Sequence, residues 1–545
     1  MIICTTLSTT MRSPTTDILG IEIPADADPQ KEAQGIVDDL SKVLAKGDAQ
    51  GFADLFLDYG VWRDKLSFTW DYRTFNFKPA ILKAATDLFS TTKTTNFKFL
   101  TPAPKIDRPY PDYAQLQFII SFETDALKQF PEIPPADGHM TGAISWENQR
   151  AQDVDSIDPE VLIIGGGQNG LALAARLNAL GMKNLIIDHS EEIGAVWKNR
   201  YEYFSLHFPH WAEDLPYFPY PKHWPTYTPS QKQGVYMQWY ASALELNVWT
   251  KSSVAKAEQD EQGNWTVMID KEGKEARTLH PKQVVMATSL CGTRMLPDVP
   301  GMTEFKGTIR HPKAHDSSRD FIRKKVCGVG TSSSGFDTAY DCARRGLDVT
   351  LLQRSPTYIM SLTHSVPRII GNYGPDADQN RPDLEEQDRL FFATPTGPRE
   401  EFPGATQRFL RTLTVPYSML CMLVACAHGV HIINGNIKVK PGYIERFTEY
   451  KVILSGGREH DFDLVVFATG FTNTIDSLGD KIADKVTPIW GIDDEGEFKT
   501  AFRETGVPNL WIFVGYLPYT RFHSKLLAMR LKALKEGVSQ GPYTA

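Results

Sequence analysis

From Pro159 onward, short apolar runs alternate with longer stretches in which apolar residues recur every three or four positions. Val161–Ile164 (VLII), Leu185–Ile187 ahead of Asp188, Val284–Met286, Val326–Val329, Val349–Leu352 and Leu464–Phe467 are runs of the first kind. Such runs, bounded by turn residues, predict strands buried on both faces; the amphipathic stretches between them predict helices. The region therefore reads as repeated βαβ units on parallel sheets. Upstream the pattern differs. Lys31–Asp48 carries Ile36, Val37, Leu40, Val43 and Leu44 at helical spacing, and Asp48 is placed to cap a second short helix, Ala49–Leu57. Alternating runs rich in aromatics and Thr follow at Leu66–Phe75, Thr95–Pro102 and Tyr113–Thr124, predicting curved strands and a small α+β domain. Phe130–Ser156 reads as a hairpin and linker.

Two glycine turns punctuate the βαβ region. Gly165-Gly166-Gly167-Gln168-Asn169-Gly170 follows one apolar strand and opens a helix. Gly165 permits the tight turn, Gly167 lets a pyrophosphate approach the backbone, and Gly170 allows close helix–strand packing. Gln168 and Asn169 open the helix whose free N–H groups face the phosphates. Asp188 ends the next strand, where an acid binds a ribose hydroxyl. The second turn is Gly330-Thr331-Ser332-Ser333-Ser334-Gly335, with Ser332 where a third glycine is usual. Its side chain either displaces the pyrophosphate or donates a hydrogen bond to it, and Ser334 stands beside it at the helix start. Arg354 ends the following strand in place of an acid. A cation there suits a 2′-phosphate, hence NADPH over NADH. Two such modules, the second inside the first, imply one flavin and one nicotinamide facing across a cleft, with hydride transfer as the chemistry.

Composition trims the alternatives. The chain has 545 residues, 41% apolar and 23% charged, which is ordinary globular composition and room for several domains. A net charge of −8 and the lack of a long Lys/Arg run disfavour nucleic acid as a partner. Six cysteines form no CxxC, so a redox-disulfide route for electrons is excluded and free thiols in a reducing compartment are expected. The longest apolar run, Met419–Ala427, has nine residues, about half a membrane span, and is expected to be a buried or substrate-lining helix. A cytoplasmic protein without a membrane span is expected.

The fold class expected is α/β, with two nested Rossmann-like dinucleotide-binding domains preceded by an α+β domain. The boundaries are a flexible extension at 1–28, the α+β domain at 29–150, the first part of a flavin domain at 157–324, a nicotinamide domain at 325–464 with an insertion at 361–442, and the second part of the flavin domain at 465–545.

Several segments carry a resemblance to a known family. Phe305-Lys306-Gly307-Thr308-Ile309-Arg310-His311 matches the FxGxxxH fingerprint of class B flavoprotein monooxygenases. Gly194–Trp197 with Arg200-Tyr201, the SLHFPHW stretch from Ser205, the ATG motif at Ala468-Thr469-Gly470, and the tail from Pro508 resemble YUCCA-type flavin monooxygenases. The N-terminal region, including the GVWRD turn at Gly60–Asp64, resembles the NTF2/SnoaL-like fold. The family resemblance implies FAD and NADPH as cofactors, O2 and a small lipophilic metabolite as substrates, and oxygen transfer through a C4a-(hydro)peroxyflavin. It implies roles at the flavin for Trp197, Arg200, Thr469 and Gly470. It also puts His207 where animal-type members have an Asn near the flavin and nicotinamide, and where YUCCA-type members have His; a satisfied core histidine is the other reading.

Hydroxylation or N/S-oxygenation is favoured, with Baeyer–Villiger insertion or decarboxylative oxygenation of a 2-oxo acid as alternatives. An NADPH oxidase, or a ligand-binding or assembly protein centred on the N-terminal domain, are readings of other classes. A homodimer through that domain is an expectation, since such folds often dimerise. Three departures bear on nicotinamide retention: Ser332, His315 where the fingerprint normally has an aromatic (the following Asp316 fits Baeyer–Villiger members), and Ala287-Thr288-Ser289 in place of an ATG. Arg63 and Asp64 are expected to form a buried structural pair.

Overall fold

Two five-stranded parallel sheets organise the molecule. The first runs in the order Val248–Trp249, Asn184–Ile187, Val161–Ile164, Gln283–Met286, Leu510–Ile512. Residues 161–164 and 184–187 are all buried, as a sheet covered on both faces requires. The second runs Thr308–Arg310, Leu464–Phe467, Lys325–Val329, Asp348–Gln353, Ile437–Pro441. Each sheet is accompanied by a three-stranded antiparallel sheet, Ser252–Gln259, Trp265–Lys271 and Arg277–Leu279 in the first module and Ile444–Phe447, Val452–Leu454 and Arg458–His460 in the second.

This computed structural model describes residues 3–5, 23–124 apart from 25, 59, 90–91, 101–102 and 111–112, and 145–354 apart from 273, 290–293 and 316. It also describes 359–360, 373–374, 383–393, 424–425, and 429–539 apart from 472–477, 479, 487–492 and 494–496.

All strands of the second sheet fall between the fourth and fifth strands of the first. Two strands sit differently from the expected boundaries. Thr308–Arg310, expected in the flavin domain, pairs in register with Leu464–Val466 as the edge of the second sheet. Leu464–Phe467, which straddles the boundary expected at 465, belongs wholly to that sheet. An apolar run announces a strand, but its sheet is chosen by a partner far along the chain.

The insertion contributes the helix Leu384–Ala393. Its Asp388 receives Arg521 through Nε and Nη2, both at 2.7 Å, and the Tyr373 hydroxyl at 2.9 Å. Arg521 also donates to the carbonyls of Ala212 and Asp214, so one buried guanidinium fastens the insertion to the first module. Of the apolar run expected as a helix, only Val424 and Ala425 are described, and they form a short strand beside Ile359–Met360. No described helix is long and apolar enough to cross a membrane.

The N-terminal region has the helices Pro29–Lys46 and Ala49–Asp54, capped by the Asp28 and Asp48 carboxylates. Ile3–Thr5, within the extension expected to be flexible, pairs antiparallel with Gly60–Trp62. The run Leu66–Phe75 is not one strand. The Asp64 carboxylate accepts from the backbone N–H groups of Ser67, Phe68 and Thr69, and curls the chain into a turn between Gly60–Lys65 and Tyr72–Asn76. A third helix, Phe77–Leu88, follows unforeseen; Pro79 lies in its first turn, where a missing N–H costs no helical bond. Trp146–Ser156, expected as linker, is a helix capped by Ser145. Phe52, Trp62, Phe68, Phe75 and Phe89 fill the interior, with Phe52 edge-on to Trp62 and Phe89 at 5.1 and 4.9 Å between ring centres.

Arg63 and Asp64 do not pair with each other, because neighbours on a strand point to opposite faces. Arg63 reaches Glu497, 434 residues on, donating through Nη2 at 2.7 Å, and donates through Nη1 to the Phe392 carbonyl at 2.7 Å. Thr74 donates to the same carboxylate at 2.7 Å. Asp71 receives Arg503 and Arg530, and the Tyr72 hydroxyl meets Nδ1 of His523 at 3.1 Å. Burial would raise the Glu497 carboxyl, but Arg63 and Lys65 hold it down at about 2; burial and Arg63 push Lys65 down to about 7. The N-terminal region is thus fastened to the last part of the chain by buried charge.

Candidate active site

The two glycine turns are nearly the same object built twice. Gly165 and Gly330 have φ of 116° and 104°, which side chains rarely adopt. A Cβ there would stand 2.6 Å from the Ala287 carbonyl oxygen and 2.5 Å from that of Ala468. At Gly170 and Gly335 a Cβ would lie 2.0 and 2.1 Å from the carbonyl oxygens of Gly165 and Gly330, so each helix rests directly on its own turn. Gly167 has φ −77° and ψ −174°, and Ser332 has φ −84° and ψ 179°. The backbone at Ser332 therefore matches that of a glycine. A Cβ at Gly167 would meet nothing within 4 Å. Both turns open twelve-residue helices, Gln168–Ala179 and Ser333–Arg344, and neither has a side-chain cap, which leaves their first N–H groups for an anion.

The strand ends around the turns are matched too, with informative differences. Asp188 accepts from the N–H of Gly166 at 2.6 Å and of Ser190 at 2.8 Å, and its remaining lone pairs can still take a hydroxyl. The register sets Gln353, not Arg354, opposite Asp188, because Gly165 N–H bonds the Ile187 carbonyl and Gly330 N–H the Leu352 carbonyl; Arg354, one residue farther on, is exposed. The Ala-Thr motifs end in Ser289 at φ 66° and Gly470 at φ 89°, so the serine holds a left-handed turn that its counterpart makes with glycine.

The two crossovers between the modules are pinned together. Met295 N–H and His311 Nε2 both meet the Gly470 carbonyl at 3.0 Å, Thr469 Oγ1 donates to the Met295 carbonyl, and Arg294 bridges Phe471. His311 Nδ1 accepts from the Lys313 N–H at 3.2 Å, so the proton of a neutral ring sits on Nε2. Burial lowers the His311 pKa and keeps the ring neutral. Thr469 and Gly470, expected at the cofactor, are placed here as crossover pins. His315 is buried with Nε2 3.7 Å from Asp341 Oδ2, so the place expected for an aromatic packs an imidazole against the second helix. Asp316 lies outside the described residues.

Between the modules, residues 197–207 lie against the second glycine helix. Trp197 stacks on Phe204 at 5.6 Å and 18°, and the Arg200 guanidinium lies 4.1 Å over the same ring. Tyr201 donates from its hydroxyl to Asp337 Oδ2 at 2.5 Å, and His207 Nε2 lies 3.5 Å from the same oxygen. Farther along that helix, Arg344 and Arg345 reach the Tyr203 hydroxyl, and Arg345 pairs with Glu202. Burial works against a charge on His207, but Asp337 outweighs it and raises the pKa.

Gln168 and Asn169 turn their amides to the Gly515 carbonyl, at 3.2 and 3.4 Å, and Thr520 donates to Asn169 Oδ1 at 2.5 Å. These side chains tie the first glycine helix to the start of the helix Leu517–Lys535, whose N-terminus also has no side-chain cap. Ser334 accepts from Thr338 through its carbonyl. Asp337, Gly515 and Thr520 are site-building residues that sequence reasoning missed. Asp337 stands only two positions after Gly335, but nothing local marks it.

An FAD fits the first turn on three observations: the open space over Gly167, the uncapped helix start, and the buried Trp197 Nε1–H, which has no acceptor among the described residues. A nicotinamide dinucleotide fits the second by the same backbone and the exposed Arg354.

The pyridine nucleotide-disulphide oxidoreductase family model matches residues 162–368. Indole-3-pyruvate monooxygenase YUCCA1 of Oryza sativa subsp. japonica is 30% identical over 363 residues, 65% of this chain and 84% of that protein. Probable indole-3-pyruvate monooxygenase YUCCA9 of Arabidopsis thaliana is 26% identical over 384 residues, 64% and 81% of the two chains. Among solved structures, a flavin-containing monooxygenase from Stenotrophomonas maltophilia shares the fold with a TM-score of 0.51 at 18% identity, covering 69% of this chain and 99% of that one. With the twin dinucleotide turns and the fingerprint crossover, these relationships make the chain a member of the flavin-containing monooxygenase family, an FAD- and NAD(P)H-dependent monooxygenase.

Proposed function

We propose that this enzyme inserts one atom of O2 into a small lipophilic metabolite, with FAD on the first glycine turn and NADPH on the second. The observation that carries the reading is the pair of matched, uncapped glycine turns, one in each module, an arrangement that two dinucleotides need and one does not. When bound, FAD supplies what side chains lack: it takes a hydride from NADPH and reacts with O2.

The chain's own residues bind and orient. The N–H groups at Gln168 and Asn169 meet the FAD pyrophosphate, Asp188 takes a ribose hydroxyl, and the Trp197 indole donates to the same ligand. Ser332 and Ser334 flank the NADPH pyrophosphate, and Arg354 takes its 2′-phosphate. Arg200 and His207 place positive charge between the modules, where an anionic group or a developing oxyanion is stabilised. The N-terminal region is read as an NTF2/SnoaL-like domain. Its interior is filled by aromatics and its hairpin is fastened to Glu497 through Arg63 and to Arg503 and Arg530 through Asp71, which favours a brace and a dimer contact over a ligand chamber.

A second reading, decarboxylative oxygenation of a 2-oxo acid, is favoured by the relatives named indole-3-pyruvate monooxygenases. Aerobic turnover of the holoenzyme with NADPH separates the readings, with NADPH, O2, H2O2 and CO2 all quantified. Oxygenated product in proportion to NADPH supports a monooxygenase of this substrate range, and CO2 release from indole-3-pyruvate selects the second reading. Stoichiometric H2O2 with every candidate substrate contradicts both.

A further inference from the structure

One carboxylate oxygen of the second module does two jobs at the interface. Oδ2 of Asp337 receives the Tyr201 hydroxyl at 2.5 Å and lies 3.5 Å from His207 Nε2, and both partners come from the first module. Asp337 follows Gly335 on the helix that starts at the second glycine turn, so it stands within two turns of the helix start that would hold the nicotinamide nucleotide's phosphates. Tyr201 is almost fully buried, whereas the His207 side chain is a quarter exposed. His207 Nδ1 has no hydrogen-bond partner among the described residues.

We propose that Asp337 is a positioning residue: it anchors His207 through Nε2 as an imidazolium and so presents the Nδ1–H as a fixed donor between the two modules. Tyr201 completes the device by fixing the carboxylate with its hydroxyl. The charged groups acting on the ring are few. Asp337 favours the imidazolium, Arg200 from the ring's own segment opposes it, and Tyr201 stays a neutral donor because burial and Asp337 push its pKa upward. The stacked Trp197–Phe204 pair forms the apolar wall, with the Phe204 ring edge-on to the imidazole at 6.3 Å. The arrangement means that the donor exists only while the modules stay docked, because its two halves come from different sheets. The proposal rests on the dinucleotide-site reading above.

The test is histidine-ring NMR titration of the ¹³C-histidine-labelled holoenzyme, with the His207 resonance assigned by its loss in His207→Gln. The wild-type ring is expected to titrate above the ordinary histidine value. Asp337→Asn is expected to lower its pKa by about one unit or more, a tenfold loss of proton affinity. Tyr201→Phe, which keeps the carboxylate, is expected to leave the elevated value in place and controls for general loosening of the interface. An unchanged pKa in Asp337→Asn, or an equal fall in Tyr201→Phe, would overturn the proposal. A parallel pH profile of the H2O2-to-product ratio should move with the NMR value. If the wild-type flavin is not reduced by NADPH, the functional reading fails, and the titration still decides the positioning claim separately.

Discussion

The two dinucleotide turns share helix length, turn dihedrals and the carbonyl oxygens that forbid a side chain, yet they differ at several positions, three of which bear on the ligand. Gly167 becomes Ser332, the strand end at Asp188 becomes Gln353 followed by Arg354, and Ser289 becomes Gly470. Where the backbone folds on itself, at Gly165/Gly330 and Gly170/Gly335, both copies keep glycine because a Cβ would strike a carbonyl oxygen. Where the surroundings are open, the copies diverge. Identity tracks packing within the protein, and difference tracks what each turn holds.

The largest effect should come from Gly170→Ala and Gly335→Ala, each costing about 3 kcal/mol of stability by backbone overlap. Thermal unfolding should show both losses, while flavin is lost only from the first variant. Equal flavin loss would break the assignment of the turns. Next, Arg354→Gln should cut the preference for NADPH over NADH about tenfold in kcat/KM, or about 1.4 kcal/mol, with flavin content unchanged.

The Gly167/Ser332 contrast can be tested from both sides. Gly167→Ser should leave apoprotein stability within about 0.5 kcal/mol, since the new Cβ meets open space, but should weaken FAD about tenfold in a reconstitution titration. Ser289→Gly should gain about 1 kcal/mol by relieving a left-handed serine, read as a raised midpoint in urea. The smallest effect is a pH dependence. His207 has a raised folded-state pKa, so its pair with Asp337 adds stability that is full below the ordinary value of about 6.5 and lost as pH rises through the folded-state value. The gap in melting temperature between wild type and Asp337→Asn should narrow from pH 6 to pH 9.

How much of this was legible in the sequence follows the range of each interaction. The glycine turns, their strands and the Asp48 cap depend on neighbours a few residues away, and each was readable. The N-terminal hairpin was misread as one strand because Asp64 rather than alternation sets its turn. The fastening of Arg63 to Glu497 spans 434 residues, and that of Tyr201 to Asp337 spans 136, so no local pattern could announce either. Thr469 was legible as part of a motif but not as a crossover pin, since its partner Met295 is 174 residues upstream.

The central claim is that the second turn delivers reducing equivalents to a flavin held by the first. Anaerobic titration of the purified holoenzyme with NADPH, followed at the flavin absorbance bands, tests it most directly. The account predicts full bleaching at one NADPH per flavin, with NADH needing far higher concentrations and Arg354→Gln narrowing that gap. A flavin that stays oxidised under excess NADPH would contradict it.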